Sequence, residues 1–274
     1  MPFAGILIQS DNSTYMIKTS AGRGRNQVRV AAKPIPLINT IKNAFLIPWQ
    51  RRKVLVPVLV IPAIVLVALR TLELRYGEKS FLFLFLLIGL DLLVLTVFAV
   101  ICHRLILLGP KSVGRSSWRS WTMRETRFLG WSLLFCFFLM ISALVFSGLL
   151  PILFNLNYLE IMKSKFFPDA FFYPTYLAWL YFFCRWGILL PATAVNKKYD
   201  LRWAWRKSKG NEWRLFILVG LLPQAIYFLP GHFLDKESPI LLIVLIMLLT
   251  VTLAVVEIST LSLSYKALIG KTRR

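Results

Sequence analysis

Five ionisable side chains lie inside or at the ends of long apolar stretches, where a charge is costly and therefore marks a candidate functional site. They are Asp91, His103, Arg104, Arg185 and Glu257. If the stretches cross a membrane as helices that rise ~1.5 Å per residue, Asp91 lies ~15 Å from the outer edge, Arg185 ~21 Å and Glu257 ~25 Å. Because Arg185 and Glu257 lie at similar depths, we predict that they pair. The pair could line a path for a substrate or a proton, or it could simply fix the packing of two helices.

Other catalytic and metal-binding patterns are missing from the sequence. It has no glycine-rich phosphate loop, no G-x-S-x-G nucleophile elbow and no H-E-x-x-H zinc motif. The histidines, His103 and His232, lie near opposite predicted membrane faces, and all the cysteines fall within apolar stretches. His103 and Arg104 lie near the inner interface, where a long side chain can reach the headgroups. We therefore expect no metal, no cofactor and no enzymatic activity.

Six apolar stretches would hold these residues within a membrane. Each approaches or exceeds the ~20 residues that an α-helix needs to cross a ~30 Å hydrocarbon core. The stretches cover residues 54–69, 81–108, 128–154, 171–190, 215–233 and 240–263. The sequence therefore predicts an all-α integral membrane protein with six transmembrane helices.

Basic residues alternate between the two sides of these stretches. Of the 33 lysines and arginines, 26 fall on one side and 6 on the other. The positive-inside rule makes the first side cytosolic and places both termini there. The net charge of +21 then reflects residues that meet anionic headgroups, and the tryptophans among them form an interfacial aromatic belt. We expect no nucleic-acid binding.

The chain from residue 34 onwards resembles a threefold repeat of one unit, a short interfacial helix followed by a transmembrane hairpin. The segment CHRLILLGP ends the second stretch, CRWGILLP ends the fourth, and a Trp/Arg-rich segment follows each of them. The units cover approximately residues 34–110, 111–197 and 198–274. Residues 1–33 are polar and basic without an apolar period, so we predict a disordered cytosolic tail or an incorrectly extended start.

The segment after Asp200 best shows the interfacial pattern. Asp200 is a good N-cap and Gly210 a good C-terminal stop. Between them, Leu201, Ala204, Trp205 and Ser208 share one face, which predicts a basic amphipathic helix in the headgroup layer rather than a plain cytosolic loop. In the first unit, the corresponding helix is expected to end at Pro48. The residues expected to contact anionic lipid headgroups are Arg119, Arg124, Arg202, Arg206 and Lys209.

Several short motifs carry a resemblance to a known group. Leu190-Pro191-Ala192 ends a stretch, Ala204-Trp205 and Ser208-Lys209-Gly210 follow, and Trp213-Arg214-Leu215 begins the next stretch. Together with the HRLILLG segment from His103 to Gly109, this pattern resembles uncharacterised bacterial inner-membrane proteins similar to the membrane domain of some glycerophosphodiester phosphodiesterases. The resemblance implies the architecture and a bacterial inner membrane. It does not imply the activity, because the phosphodiesterase barrel needs ~250 residues of its own.

Two functions are compatible with these observations. The first is a non-enzymatic, multi-pass inner-membrane protein that organises lipids or membrane-protein partners at the cytosolic face. The second is a small transporter that uses a buried Arg185/Glu257 cluster. A continuous polar cavity reaching both residues would favour transport, whereas a packed bundle would favour the organising role.

Overall fold

The computed structural model of the chain describes residues 34–76, 80–114, 121–145, 166–224 and 238–270. These ranges contain helices and no β-strand. Their α-helices are α1 (Leu37–Gln50), α2 (Arg52–Tyr76), α3 (Phe81–Leu108), α4 (Met123–Leu144), α5 (Phe166–Trp186), α6 (Leu189–Ala194), α7 (Leu201–Ser208), α8 (Glu212–Leu215) and α9 (Ile240–Ile269). The predicted tail, residues 1–33, and Arg119 lie outside the described residues.

Five segments of the described residues are long and apolar enough to cross a membrane. They are Arg52–Glu73, Phe81–Leu108, Met123–Ser142, Tyr176–Ala194 and Ile240–Ile269. Only 17% of the most apolar part of Ile240–Ile269 is buried within the protein. A water-soluble chain would bury such a surface, so the helical fold is compatible with a multi-pass membrane protein.

The fifth predicted span is described only in its first part. After α8 the chain continues as a π-helical turn, Phe216–Leu221, and stays helical to Gln224. Gly220 in this turn packs against α5, where an added Cβ atom would lie 2.8 Å from the Cys184 sulfur. The glycine therefore permits a close approach of two helices that a larger residue would prevent. The remainder of the predicted span, residues 225–233, lies outside the described residues.

Two hydrophobic cores of the described residues share α9, which contributes Val255 to one and Leu261 and Tyr265 to the other. One core joins α2, α3 and α9 through residues such as Leu59, Phe98 and Val255. The other joins α5, α6, α7 and α9 through Leu180, Cys184 and their neighbours. α2 and α3 run antiparallel, because Arg70 near the end of α2 contacts Asp91 in the first half of α3. α9 is therefore the element that both cores have in common.

Two sequence predictions about the short helices are wrong. α1 does not end at Pro48 but continues to Gln50, and the Arg51 amide donates to the Ile47 carbonyl at 3.0 Å. Proline removes one amide donor but leaves the next turn free to form. In the second unit, α4 runs without a break from Met123 into the apolar stretch. The described part of the predicted interfacial segment there belongs to the span helix itself.

The predicted boundaries of α7 are confirmed. The Asp200 carboxylate accepts a hydrogen bond from the Trp203 amide at 2.7 Å, as an N-cap does. Gly210 follows the helix with a φ of +83°. This left-handed conformation suits glycine and turns the chain away from the helix axis.

Candidate functional site around Arg185

Arg185 is the best-enclosed charge among the predicted site residues. It lies in the last turn of α5 and is only 4% exposed. We call Arg185 and the groups around it, Tyr181, Trp205, Ser208 and Glu212, the Arg185 cluster. Its members come from α5, α7 and α8, so the cluster joins the end of α5 to the short helices that follow.

Hydrogen bonds satisfy several edges of the Arg185 guanidinium. Nε donates to the Ser208 hydroxyl at 2.9 Å, and Nη2 donates to the Trp205 carbonyl at 2.7 Å. Nη1 makes a longer bond of 3.3 Å to the Tyr181 hydroxyl. Because arginine presents its donors in a fixed planar fork, these bonds set the orientation of α7 relative to α5.

An aromatic ring and a carboxylate complete the surroundings of the cation. The guanidinium carbon of Arg185 lies 3.4 Å from the centre of the Trp205 ring. The Glu212 carboxylate lies 3.8 Å from Nη2 and accepts a bond from the Gly210 amide at 2.8 Å. The buried cation is therefore balanced by charge, by hydrogen bonds and by a π-face.

Small and capping residues allow α7 to lie this close. Ala204 and Ser208 are fully buried on the face of α7 that meets α5. Asn211 begins α8, and its side-chain oxygen accepts a hydrogen bond from the Ile35 amide at 2.8 Å. That bond attaches the beginning of α1 to the same place. The segments before α1 and after α7 thus meet at one buried point.

Many residues that carry the family resemblance are core residues here. Four of them are fully buried, namely Ala192, Ala204, Ser208 and Leu215. Ser208 also bonds Arg185, and Gly210 supplies the turn that follows α7. These positions therefore explain a packing pattern, and none of them forms a recognisable reaction centre.

The carboxylate that contacts Arg185 is that of Glu212, and not that of Glu257 as predicted. The guanidinium turns toward α7 and contacts the Glu212 carboxylate. Glu257 on α9 lies within electrostatic reach of Tyr176 and Cys184. Residues 184 and 185 are about 100° apart around a helix, so the cation and Glu257 address different faces of α5. Depth along a helix does not determine the direction in which a side chain points.

Asp91 is buried, as predicted, and its partner is Arg70, a residue for which no pairing was predicted. One carboxylate oxygen of Asp91 accepts a hydrogen bond from Arg70 at 2.7 Å. The other is buried without a hydrogen-bond partner among the described residues. Arg70 is also bonded to Glu73 at 3.2 Å. Its position just after the first apolar stretch was the available signal, because a long side chain there can reach back along the helix.

His103 and Arg104 point to different partners. His103 is buried, and its Nδ1 lies 2.7 Å from the Ser262 hydroxyl of α9. Arg104 donates to the Ser112 carbonyl at 3.0 Å, and the Ser112 hydroxyl donates back to the Arg104 carbonyl at 3.2 Å. Arg104 thus fixes the turn after α3. The sequence contains no periodic signal for either contact, because the partners come from a turn and a distant helix.

The predicted headgroup residues differ in accessibility. Arg202, Arg206 and Lys209 are exposed around α7. Arg124 is less available, because it is bonded to Glu125 at 2.5 Å and only 20% of its side chain is exposed. Glu125 itself closes the capping box of α4 with Thr122. Among the predicted headgroup residues that the structure describes, the exposed ones therefore lie on α7 and directly after it.

Apolar grooves run along the sides of the described helices. Three lateral grooves, two along α2 and one between α1, α2 and α9, are lined almost wholly by apolar side chains and include neither Arg185 nor Glu257. No three His, Cys, Asp or Glu side chains of the described part of the chain are grouped closely enough to hold a metal ion.

Comparison with protein-family models, with curated proteins and with solved structures finds no significant match. The resemblance to the membrane domain of glycerophosphodiester phosphodiesterases therefore rests on the motifs alone. Function has to be inferred from the Arg185 cluster and from the surfaces around it.

Proposed function

We propose that the chain is a non-enzymatic protein of a bacterial inner membrane that gathers anionic lipids, and through them membrane-protein partners, at its cytosolic face. The proposal includes six spans, both termini in the cytosol and α7 lying in the headgroup layer. The strong asymmetry of basic residues supports this orientation. The motifs and their family resemblance support the bacterial inner membrane.

The observation that carries the proposal is the attachment of α7 by its buried face. Ala204 and Ser208 face the protein, and Arg185 holds the helix through Ser208 and the Trp205 carbonyl. The basic residues Arg202 and Arg206 are consequently exposed. A rigidly held helix keeps its cations at one level, where each contributes about 1 kcal/mol toward an anionic surface.

The test uses the full-length protein in neutral detergent. Phosphatidylglycerol should raise the unfolding temperature more than phosphatidylcholine does, because a ligand that binds the native state stabilises it. Changing Arg202, Arg206 and Lys209 together to glutamine should remove most of that difference. The matched control changes three exposed lysines elsewhere, Lys42, Lys111 and Lys266. If both triple variants lost the phosphatidylglycerol-specific rise in unfolding temperature equally, a localised lipid surface on α7 would be rejected.

A small transporter is the second candidate, and Glu257 supports it. This carboxylate lies in a membrane-crossing segment beside Tyr176 and Cys184, and ionisable groups at such depth often lie on proton or ion paths. Proteoliposomes loaded with a pH-sensitive dye provide the test. Proton movement that Glu257→Gln abolishes and Glu73→Gln leaves intact would favour transport over the organising role.

A further inference from the structure

A lateral groove lies between the end of α1, the first half of α2 and the middle of α9. It encloses about 530 Å³, a volume typical of a site for a small ligand. Its floor contains the buried side chains of Leu55, Leu59 and Phe98. The opposite wall contains Val251 and Val255 of α9.

The length of the groove matches one leaflet of a bilayer. It extends along α2 from Arg52 to Ala63, which corresponds to ~16 Å at ~1.5 Å per residue. Half of a ~30 Å hydrocarbon core is ~15 Å. The groove therefore begins at a basic membrane edge and ends near the middle of the membrane.

The walls offer hydrocarbon rather than hydrogen-bonding groups. Thr252 is the hydroxyl-bearing residue of the lining, and its oxygen donates to the Leu248 carbonyl of its own helix at 2.8 Å. The hydroxyl proton is thus already used within α9. An occupant of this part of the groove gains from burying apolar surface and finds few polar partners.

The basic end of the groove is different. The Arg52 guanidinium lies 4.7 Å from the centre of the Trp49 ring and donates to the Trp49 carbonyl at 3.0 Å. Arginine has five N–H donors, and Arg52 and the adjacent Lys53 are exposed. Trp49 is 67% exposed, as expected for an aromatic residue at a membrane interface. Arg52, held on the Trp49 ring at the end of the apolar groove, could therefore bind an anionic lipid headgroup whose acyl chain lies in the groove.

We propose that this groove binds one anionic phospholipid, with an acyl chain along α2 and α9 and the phosphate at Arg52. The site is separate from the α7 surface and needs only that α2 and α9 lie in a membrane. Charge complementarity at Arg52 and the one-leaflet length favour a lipid over a helix of a partner protein, which would need a longer apolar seam.

Two neighbouring positions provide a matched test. Val60 lines the groove and is 42% exposed, whereas Ile61 is 41% exposed and faces a different groove. Native mass spectrometry would measure phosphatidylglycerol bound to the full-length protein in neutral detergent, with phosphatidylcholine as the neutral probe. We expect Val60→Trp to lower the occupancy at least severalfold, and Ile61→Trp to leave it unchanged.

Arg52→Gln tests the headgroup without filling the groove. It should reduce the preference for phosphatidylglycerol over phosphatidylcholine by roughly fivefold, the effect expected for one surface cation. Unchanged occupancy in Val60→Trp, an equal fall in Ile61→Trp, or an unchanged lipid preference in Arg52→Gln would each overturn the proposal. If Val60→Trp does not fold, Arg52→Gln decides alone. Since α7 is intact in all these variants, failure here is distinguishable from failure of the α7 surface.

Discussion

The Trp205 ring of α7 lies against the Arg185 guanidinium of α5. The ring centre lies 3.4 Å from the guanidinium carbon, and Trp205 is 37% exposed whereas Arg185 is 4% exposed. The tryptophan therefore separates a cation from its surroundings with a π-face, and its own backbone carbonyl accepts one of the cation's hydrogen bonds. This double contact makes arginine specifically necessary at position 185, because a lysine offers a single point of charge.

Arg185→Lys should therefore destabilise the protein although the charge is kept. The loss of planar bonds to Ser208 and Trp205, together with the stacked ring, should cost about 2–3 kcal/mol. The free energy of unfolding in mixed micelles measures the effect. Arg206→Lys, on the exposed side of α7, is the control and should change it by less than about 0.5 kcal/mol. Similar small effects for both variants would contradict the structural role of the cluster.

Double-mutant cycles should distinguish the two carboxylates near Arg185. Because Glu212 contacts the guanidinium at 3.8 Å, Arg185→Leu and Glu212→Gln should couple by at least about 0.5 kcal/mol. Arg185→Leu and Glu257→Gln should be additive within about 0.5 kcal/mol, since Glu257 addresses the Tyr176 and Cys184 face. The opposite pattern would restore the pairing predicted from depth alone. The same unfolding assay provides the values.

Two buried serines on α9 provide a matched comparison for His103. The Ser262 hydroxyl lies 2.7 Å from Nδ1 of His103 and donates to the Ile258 carbonyl at 2.8 Å. Among the contacts described, the Ser259 hydroxyl bonds only the Val255 carbonyl of its own helix, at 2.6 Å. Ser262→Ala should cost about 1–2 kcal/mol more than Ser259→Ala, because it leaves a buried ring nitrogen without its partner. Equal costs would mean that the His103 contact contributes nothing to stability.

Cysteine labelling should establish the orientation of the spans. In a variant in which serine replaces the native cysteines, Gly77→Cys and Asn157→Cys should react with an impermeant reagent added to intact cells. Lys198→Cys should react only after lysis. This expectation follows from the distribution of 26 against 6 basic residues. Labelling of Lys198→Cys in intact cells would contradict two cytosolic termini.

The sequence predicted the helices better than the contacts between them. Apolar length located five of the six predicted spans as segments long and apolar enough to cross a membrane. The side-chain chemistry of Asp200 and Gly210 predicted both ends of α7. These features depend on local chemistry. The continuation of α1 beyond Pro48 was not predicted. Proline removes only its own amide hydrogen bond, and the residues after it can still form a helical turn.

The partners of the buried charges could not be predicted in the same way. Glu212 and Ser208 reach Arg185 only because the chain turns back after α6, and Arg70 reaches Asp91 only because α2 and α3 pack in one particular register. Depth along a helix is readable from residue number, but the direction of a side chain around the helix also depends on which neighbour packs there. The exposed cations of α7 were predictable because exposure follows directly from the amphipathic period.

The hydrogen bond between the Ile35 amide and Asn211 has a consequence for biosynthesis. Its partners are separated by 176 residues, so at 5–20 residues per second the ribosome needs roughly 9–35 s to supply the second after the first. During that interval α1 lacks both this acceptor and its packing partner α9, which is translated later still. Because α1 has neither its hydrogen-bond acceptor nor its packing partner during that interval, it can take its final position only after α9 has been synthesised.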